Sequence, residues 1–95
     1  MPNPIEVKAL EQFHIWLKFD DGTQGNIDLS HLRDQGVFRI WNDPAIFNRV
    51  QIDLESKAIV WNETVELCPD SLYLRLRDLT FEQWKETEYS YATNQ

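Results

Sequence analysis

Four large apolar side chains, Phe13, Ile15, Leu17 and Phe19, occupy alternate positions of one short stretch, with His14, Trp16 and Lys18 between them. A period of two places the apolar set on one face of a β-strand and the other set on the opposite face. Asp20-Asp21-Gly22-Thr23 follows directly. Glycine takes positive φ without steric cost, so this tetrapeptide closes a hairpin. Upstream, Ile5, Val7 and Ala9 alternate with Glu6 and Lys8, which predicts a half-buried strand over 5–10, and Glu11-Gln12 makes a short connection. A third strand is expected over 25–29. The first 29 residues therefore read as an antiparallel meander.

Beyond the meander the elements shorten. Ser30 suits the N-cap of a helical turn over 31–35 that Gly36 stops, with Phe38 and Trp41 following. Asp43-Pro44 reads as the N-cap and first residue of another short helix, reaching Asn48. Val50, Ile52 and Leu54 alternate with Gln51 and Asp53 as a fourth strand; Glu55-Ser56-Lys57 turns the chain; a fifth strand spans 58–61. Over 69–78 two patterns compete. Leu72, Leu76 and Leu79 have helical spacing and Pro69 suits a first helical position, whereas Leu74-Arg75-Leu76-Arg77 alternates like a strand; the helix is the favoured reading. Thr80 and Gln83 match a capping box, which opens a last helix to about residue 88. The final residues should fray. The expected fold is α+β: one small antiparallel sheet of about five strands with short helices packed on it.

A length of 95 residues fits a single domain, 1–95, and no repeat, linker or low-complexity tract divides it. With 42% hydrophobic residues, 26% charged, 3 Gly and 4 Pro, the chain is neither collagen-like nor disordered. A domain this small buries a limited share of its surface, so most of the large apolar side chains are needed inside. The formal net charge is −7. Such a field repels phosphate backbones and anionic lipid surfaces, so direct nucleic-acid or membrane binding is not expected, and it suits a basic protein partner. The single cysteine, Cys68, cannot form an internal disulfide; Met1-Pro2-Asn3-Pro4 has neither the basic nor the apolar region of a signal peptide, and no apolar run approaches a membrane span. The expected compartment is the reducing cytoplasm.

Residues suited to bond-making chemistry are few and scattered. His14, His31 and Cys68 lack the spacing of a zinc site. Asp20, Asp21 and Asp28 lack the alternation and terminal Glu of a calcium loop, and the hairpin turn explains the first two. Cys68 before Pro69 could be a nucleophile at a helix N-terminus, but a nucleophile needs a base; a small buried thiol is the expectation. Gly22, Gly25 and Gly36 form no phosphate loop. No enzyme activity, metal or cofactor is expected. Aromatic residues carry more information about binding. Trp16 lies on the polar face of the second strand and Trp61 closes the fifth; exposed tryptophans are typical interface anchors, but the burial that so small a domain requires favours the core for both.

Taken in order, Phe19-Asp20-Asp21-Gly22-Thr23, Ile27-Asp28-Leu29, Phe38 with Asp43-Pro44 and Phe47, Ile59-Val60-Trp61-Asn62, and Leu67-Cys68-Pro69-Asp70-Ser71-Leu72-Tyr73 form a pattern. It resembles the DUF2442 family of small bacterial proteins over about residues 5–73. The chain departs from the family at Thr64, where a Gly is usual after the tryptophan loop, and at Glu66, where an Asp is usual before the cysteine–proline step. Residues 74–90 read as a helical extension outside the resemblance. The resemblance implies an α+β fold and no known enzyme activity. Similar proteins are often encoded beside small toxin-like proteins or fused to helix-turn-helix domains. It therefore implies a protein-binding module, an antitoxin-like partner of a small toxin-like protein. The alternative is a regulatory or ligand-sensing domain that acts with a separate DNA-binding protein. The candidate partner-binding residues are Trp16, Trp61, Asp70 and Tyr73. For three of them a structural reading is favoured over a partner groove bordered by Trp61, Asp70 and Tyr73: Asp70 would cap the following helix and hold the Trp61 loop. A homodimer through an unpaired sheet edge is a further expectation.

Overall fold

In the computed structural model, which describes residues 1–11, 13–62, 65–80 and 82–84, the alternating segment forms the central strand of a three-stranded antiparallel sheet. β1 (Pro4–Ala9) pairs with β2 (His14–Phe19), and β2 pairs with β3 (Gln24–Asp28). The inner face of β2 carries Ile15, Leu17 and Phe19, each 0% exposed. Phe13 is also buried, at a positive φ of 63°, just before the strand. Gly22 has a φ of 90° in the hairpin turn, where the Asp21 carboxylate accepts the Thr23 amide at 2.9 Å. The meander is thus as its alternation predicts. One difference is Ile5, which is exposed: a bulge between Pro4 and Glu6 breaks the alternation of β1.

A second three-stranded antiparallel sheet replaces the fourth and fifth strands of a single sheet. It comprises β4 (Gln51–Ile52), β5 (Ile59–Val60) and β6 (Glu66–Leu67), with β5 central. The described residues therefore hold six strands in two sheets rather than about five in one. β4 ends early for a local reason. The Asp53 carboxylate accepts the amides of Glu55 and Ser56 at 2.8 and 3.2 Å, so the turn begins at Asp53 and Leu54 points into solvent.

Between the sheets the chain forms 3₁₀ turns. Ser30–Leu32 is one, and its start is held by the Asp28 carboxylate, which accepts the Ser30 amide at 2.8 Å; Ser30 is inside the turn and not its cap. Gly36 ends that region with a φ of 50° and opens a longer 3₁₀ stretch, Gly36–Asn42, that buries Trp41. α1 (Pro44–Phe47) starts as expected, with the Asp43 side chain accepting the Ala45 amide. α2 (Pro69–Arg77) is the helix that the leucine spacing favours, stopped by Asp78 in a left-handed conformation. After it, Thr80 and Gln83 exchange the two bonds of a capping box, at 2.9 and 3.1 Å. The helix expected beyond residue 84 lies outside the described residues.

One apolar cluster joins these elements: the inner residues of β2 and β3, then Trp41, Phe47, Ile59, Trp61, Val65, Leu72 and Tyr73. α2 lies against β3, so closely that a Cβ on Gly25 would stand 2.9 Å from a Leu76 methyl, and β1 lies against β4. Aromatic edges and faces fill the centre, with Trp41 and Trp61 4.7 Å apart and Trp41 and Phe47 5.5 Å apart.

Candidate interaction face

The alternation that buries one side of β2 turns His14, Trp16 and Lys18 to the other side. In register, Lys8 stands opposite Trp16 and Trp16 opposite Asn26; Glu6 flanks Lys18 and Lys18 faces Gln24; His14 faces Asp28. The result is a polar sheet face with one half-buried tryptophan at its middle. Lys8 Nζ lies 5.4 Å from the centroid of the Trp16 ring, over its negative π-face. His14 Nδ1 is 2.8 Å from Asn26 Oδ1, a distance that suits the tautomer protonated at Nδ1, and His14 Nε2 is 3.7 Å from the Asp28 carboxylate. The hydroxyl and amide of Ser30 hold the Asp28 carboxyl below the usual aspartate range, and the nearby His14 and Arg75 add to this. Leu10, Glu11, His14 and Asn26 line a shallow cleft of about 300 Å³ beside Trp16.

The outer side of the second sheet differs in charge. Gln51, Val60 and Glu66 share a row across β4, β5 and β6, and with Asp53 and Asn62 they line a cleft of about 280 Å³. Its titratable residues are both acidic.

The other candidates fall in different places. Trp61 is 3% exposed, and its indole N–H donates to the Phe47 carbonyl at 3.0 Å. Tyr73 is 2% exposed, with its ring edge-on to Phe19 at 5.0 Å. Both side chains belong to the core, because a small domain needs its largest apolar groups there. Asp70 is exposed in the first turn of α2, where its charge complements the helix dipole. It is not the cap: Cys68 holds that position and its side chain makes no capping bond. The Trp61 loop is held by Asn62, whose side-chain oxygen accepts the Val65 amide at 2.8 Å. Cys68 is exposed and not the buried thiol its size and apolar neighbours predict, since it stands between the end of β6 and the start of α2.

Contacts that no sequence pattern foretells complete the picture. The Tyr73 hydroxyl donates to Asp21 Oδ2 at 2.7 Å and accepts from Arg77 Nη1 at 2.8 Å. This latch ties the tip of the β2–β3 hairpin to α2 across 52 residues of sequence. Partial burial works to raise the Asp21 carboxyl, but hydrogen bonds from Tyr73 and Thr23 and the Arg77 charge outweigh it and leave it below its usual range. Burial and the bond to Asp21 push the Tyr73 hydroxyl up. A second tie runs from Arg75 Nη2 to the Asp28 carbonyl at 2.7 Å. No local pattern marks a contact between Asp21 and Tyr73. Asn26 and Asp28 were legible in principle, because the hairpin turn fixes the register that sets them beside His14.

Among the described residues, no group of three His, Cys, Asp or Glu stands close enough to hold a metal ion. Nor does any described helix have the length and apolarity to cross a membrane.

Together these features define a small α+β domain in which two short antiparallel sheets share one aromatic core, and whose first sheet turns a tryptophan outward. A family model described as "Protein of unknown function (DUF2442)" matches residues 4–78, and the chain belongs to that family. The match runs past Tyr73 to the end of α2, so that helix lies inside the family region. No curated protein and no solved structure matches the chain.

Proposed function

We propose that the chain is a protein-binding module for a basic protein, with the outer face of β1–β3 as its contact surface and Trp16 as the anchor. One observation carries this reading: Trp16 stands half-exposed at the centre of a polar sheet face while Trp41 and Trp61 are enclosed in the core. Protein interfaces favour an aromatic anchor inside a polar rim. The net charge of −7 draws a basic partner from a distance. The acidic cleft of Asp53 and Glu66 offers such a partner a second point of contact. An antitoxin-like pairing with a small toxin-like protein is the form of partnership that the family resemblance favours.

The test is co-expression with the protein encoded by the adjacent gene, followed by titration calorimetry of the purified pair. Trp16→Ala should weaken binding by at least about tenfold while leaving the folded spectrum intact, and added salt should weaken it further. Unchanged affinity in that variant would remove Trp16 from the contact.

The cleft beside His14 favours a second reading, in which the domain senses a small ligand and acts through a separate DNA-binding protein. A ligand that protects His14 and Asn26 resonances without engaging the adjacent-gene product would select it.

A further inference from the structure

Residues 31–42 connect the first sheet to α1, and their hydrogen bonds are all local. Among the described residues, every bond this segment makes ends within 29–43. The Leu32 amide donates to the Leu29 carbonyl at 3.0 Å, Gln35 to Leu32 at 2.9 Å and Phe38 to Gln35 at 3.0 Å. The Gln35 and Arg39 side chains donate to the carbonyls of His31 and Asp34. None of these bonds reaches a strand or α2. The backbone bonds are those of 3₁₀ turns, whose alignment is poorer than that of an α-helix.

Burial adds a second observation. Of these residues only Trp41 is buried, at 1% exposure; Leu32, Phe38 and Ile40 are half-buried and the rest are exposed. Arg33 adds one outer contact, its guanidinium 5.6 Å from the centroid of the Phe13 ring. The segment is therefore pinned by a single side chain, and that side chain has a defect. Trp41 Nε1 is, among the described residues, the buried side-chain nitrogen that has no hydrogen-bond partner. Trp61, equally enclosed beside it, donates to the Phe47 carbonyl at 3.0 Å. An unpaired buried donor weighs against the closed arrangement by about five- to 150-fold in an equilibrium constant, and the indole regains water when it leaves. Both ends of the segment are fixed. The buried Leu29 donates its amide to the Phe13 carbonyl at 2.6 Å, and the Asp43 side chain and carbonyl accept the first amides of α1. Gly36, at a φ of 50°, supplies a pivot between the two 3₁₀ turns.

We propose that residues 31–42 form a strap that opens as one unit while both sheets and α2 stay folded, withdrawing Trp41 from beside Phe47 and Trp61 and uncovering the aromatic centre of the domain. Few buried contacts, local and exposed hydrogen bonds and an anchor with an unpaired donor place the strap at the low-stability end of the fold. This device does not rest on the partner-binding reading of the outer face of β1–β3.

Hydrogen exchange of the full chain, followed by nuclear magnetic resonance in increasing low urea, tests it without any substitution, because the two enclosed tryptophans each report through an indole N–H. The Trp41 indole should be at least about tenfold less protected than that of Trp61, and should share its protection with the Gln35 and Phe38 amides. The Trp61 indole and the β2 amides should exchange only when the whole domain unfolds, so their rates should climb steeply with urea. The strap exposes little surface on opening, so its rates should stay nearly flat. A Trp41 indole that follows Trp61 and the β2 amides, in protection or in urea dependence, leaves the core only on global unfolding and would overturn the strap. A fast Trp41 indole under slow Gln35 and Phe38 amides would also overturn it, since water then reaches the ring without any opening. So would fast amides over a slow indole, since the turns then fray without releasing their anchor.

Discussion

The latch between the first hairpin and α2 has a cost that can be measured by deleting one oxygen. Tyr73→Phe keeps the buried ring and its edge-on contact with Phe19, and removes the hydroxyl that donates to Asp21 at 2.7 Å and accepts from Arg77 at 2.8 Å. A hydrogen bond to a charged group is worth about 1.5–3 kcal/mol. Asp21 and Arg77 are exposed and regain water when the hydroxyl goes, which brings the expected loss to about 1–2 kcal/mol. For a domain of this size that lowers the melting temperature by roughly 4–16 °C. Urea unfolding of the parent, Tyr73→Phe, Asp21→Asn and the double variant gives the coupling directly.

The pH dependence has a fixed sign. The Asp21 carboxyl is held below its usual range in the fold, so its contribution is complete above the unfolded-state value and disappears as pH falls through the folded value. The gap between parent and Tyr73→Phe should be constant near neutrality and close in acid, below the ordinary aspartate range. The Tyr73 hydroxyl is pushed up, so its share persists below the ordinary tyrosine value and is lost as pH rises through the higher folded value. A variant as stable as the parent at neutral pH, or a gap that fails to close in acid, would refute the latch.

Two other outcomes follow from the placement of the tryptophans. Trp61→Phe leaves the Phe47 carbonyl without its 3.0 Å donor and opens space beside Trp41, and should destabilise the chain by about 2–4 kcal/mol in urea titrations. Iodide should quench the half-buried Trp16 and Trp84 far more than Trp41 or Trp61, so that Trp16→Phe removes a distinct share of the quenchable signal and leaves that of Trp84. Equal quenching in parent and variant would mean that the outward face is covered.

Local grammar determined much of this protein. Phe13, Ile15, Leu17 and Phe19 specify both a strand and its buried side, Gly22 specifies where the strand turns back, and Asp43-Pro44 and Thr80–Gln83 specify helix starts, because each signal acts within a few residues. The family was legible from motif order for the same reason. Tertiary structure decided the rest. Leu54 leaves the strand pattern because the Asp53 carboxylate captures the next amides. β6 exists only because Glu66 and Leu67 find Val60 and Ile59 across a turn. Trp61 and Tyr73 are enclosed in the fold, as the demand for burial favours, whereas Trp16, for which the same demand also favours the core, stays outside because its neighbours on β2 already supply that strand's core face. Which of several tryptophans is buried, and which aspartate a tyrosine reaches 52 residues away, are set by how the sheets and α2 pack together, a long-range choice that no short window of sequence encodes.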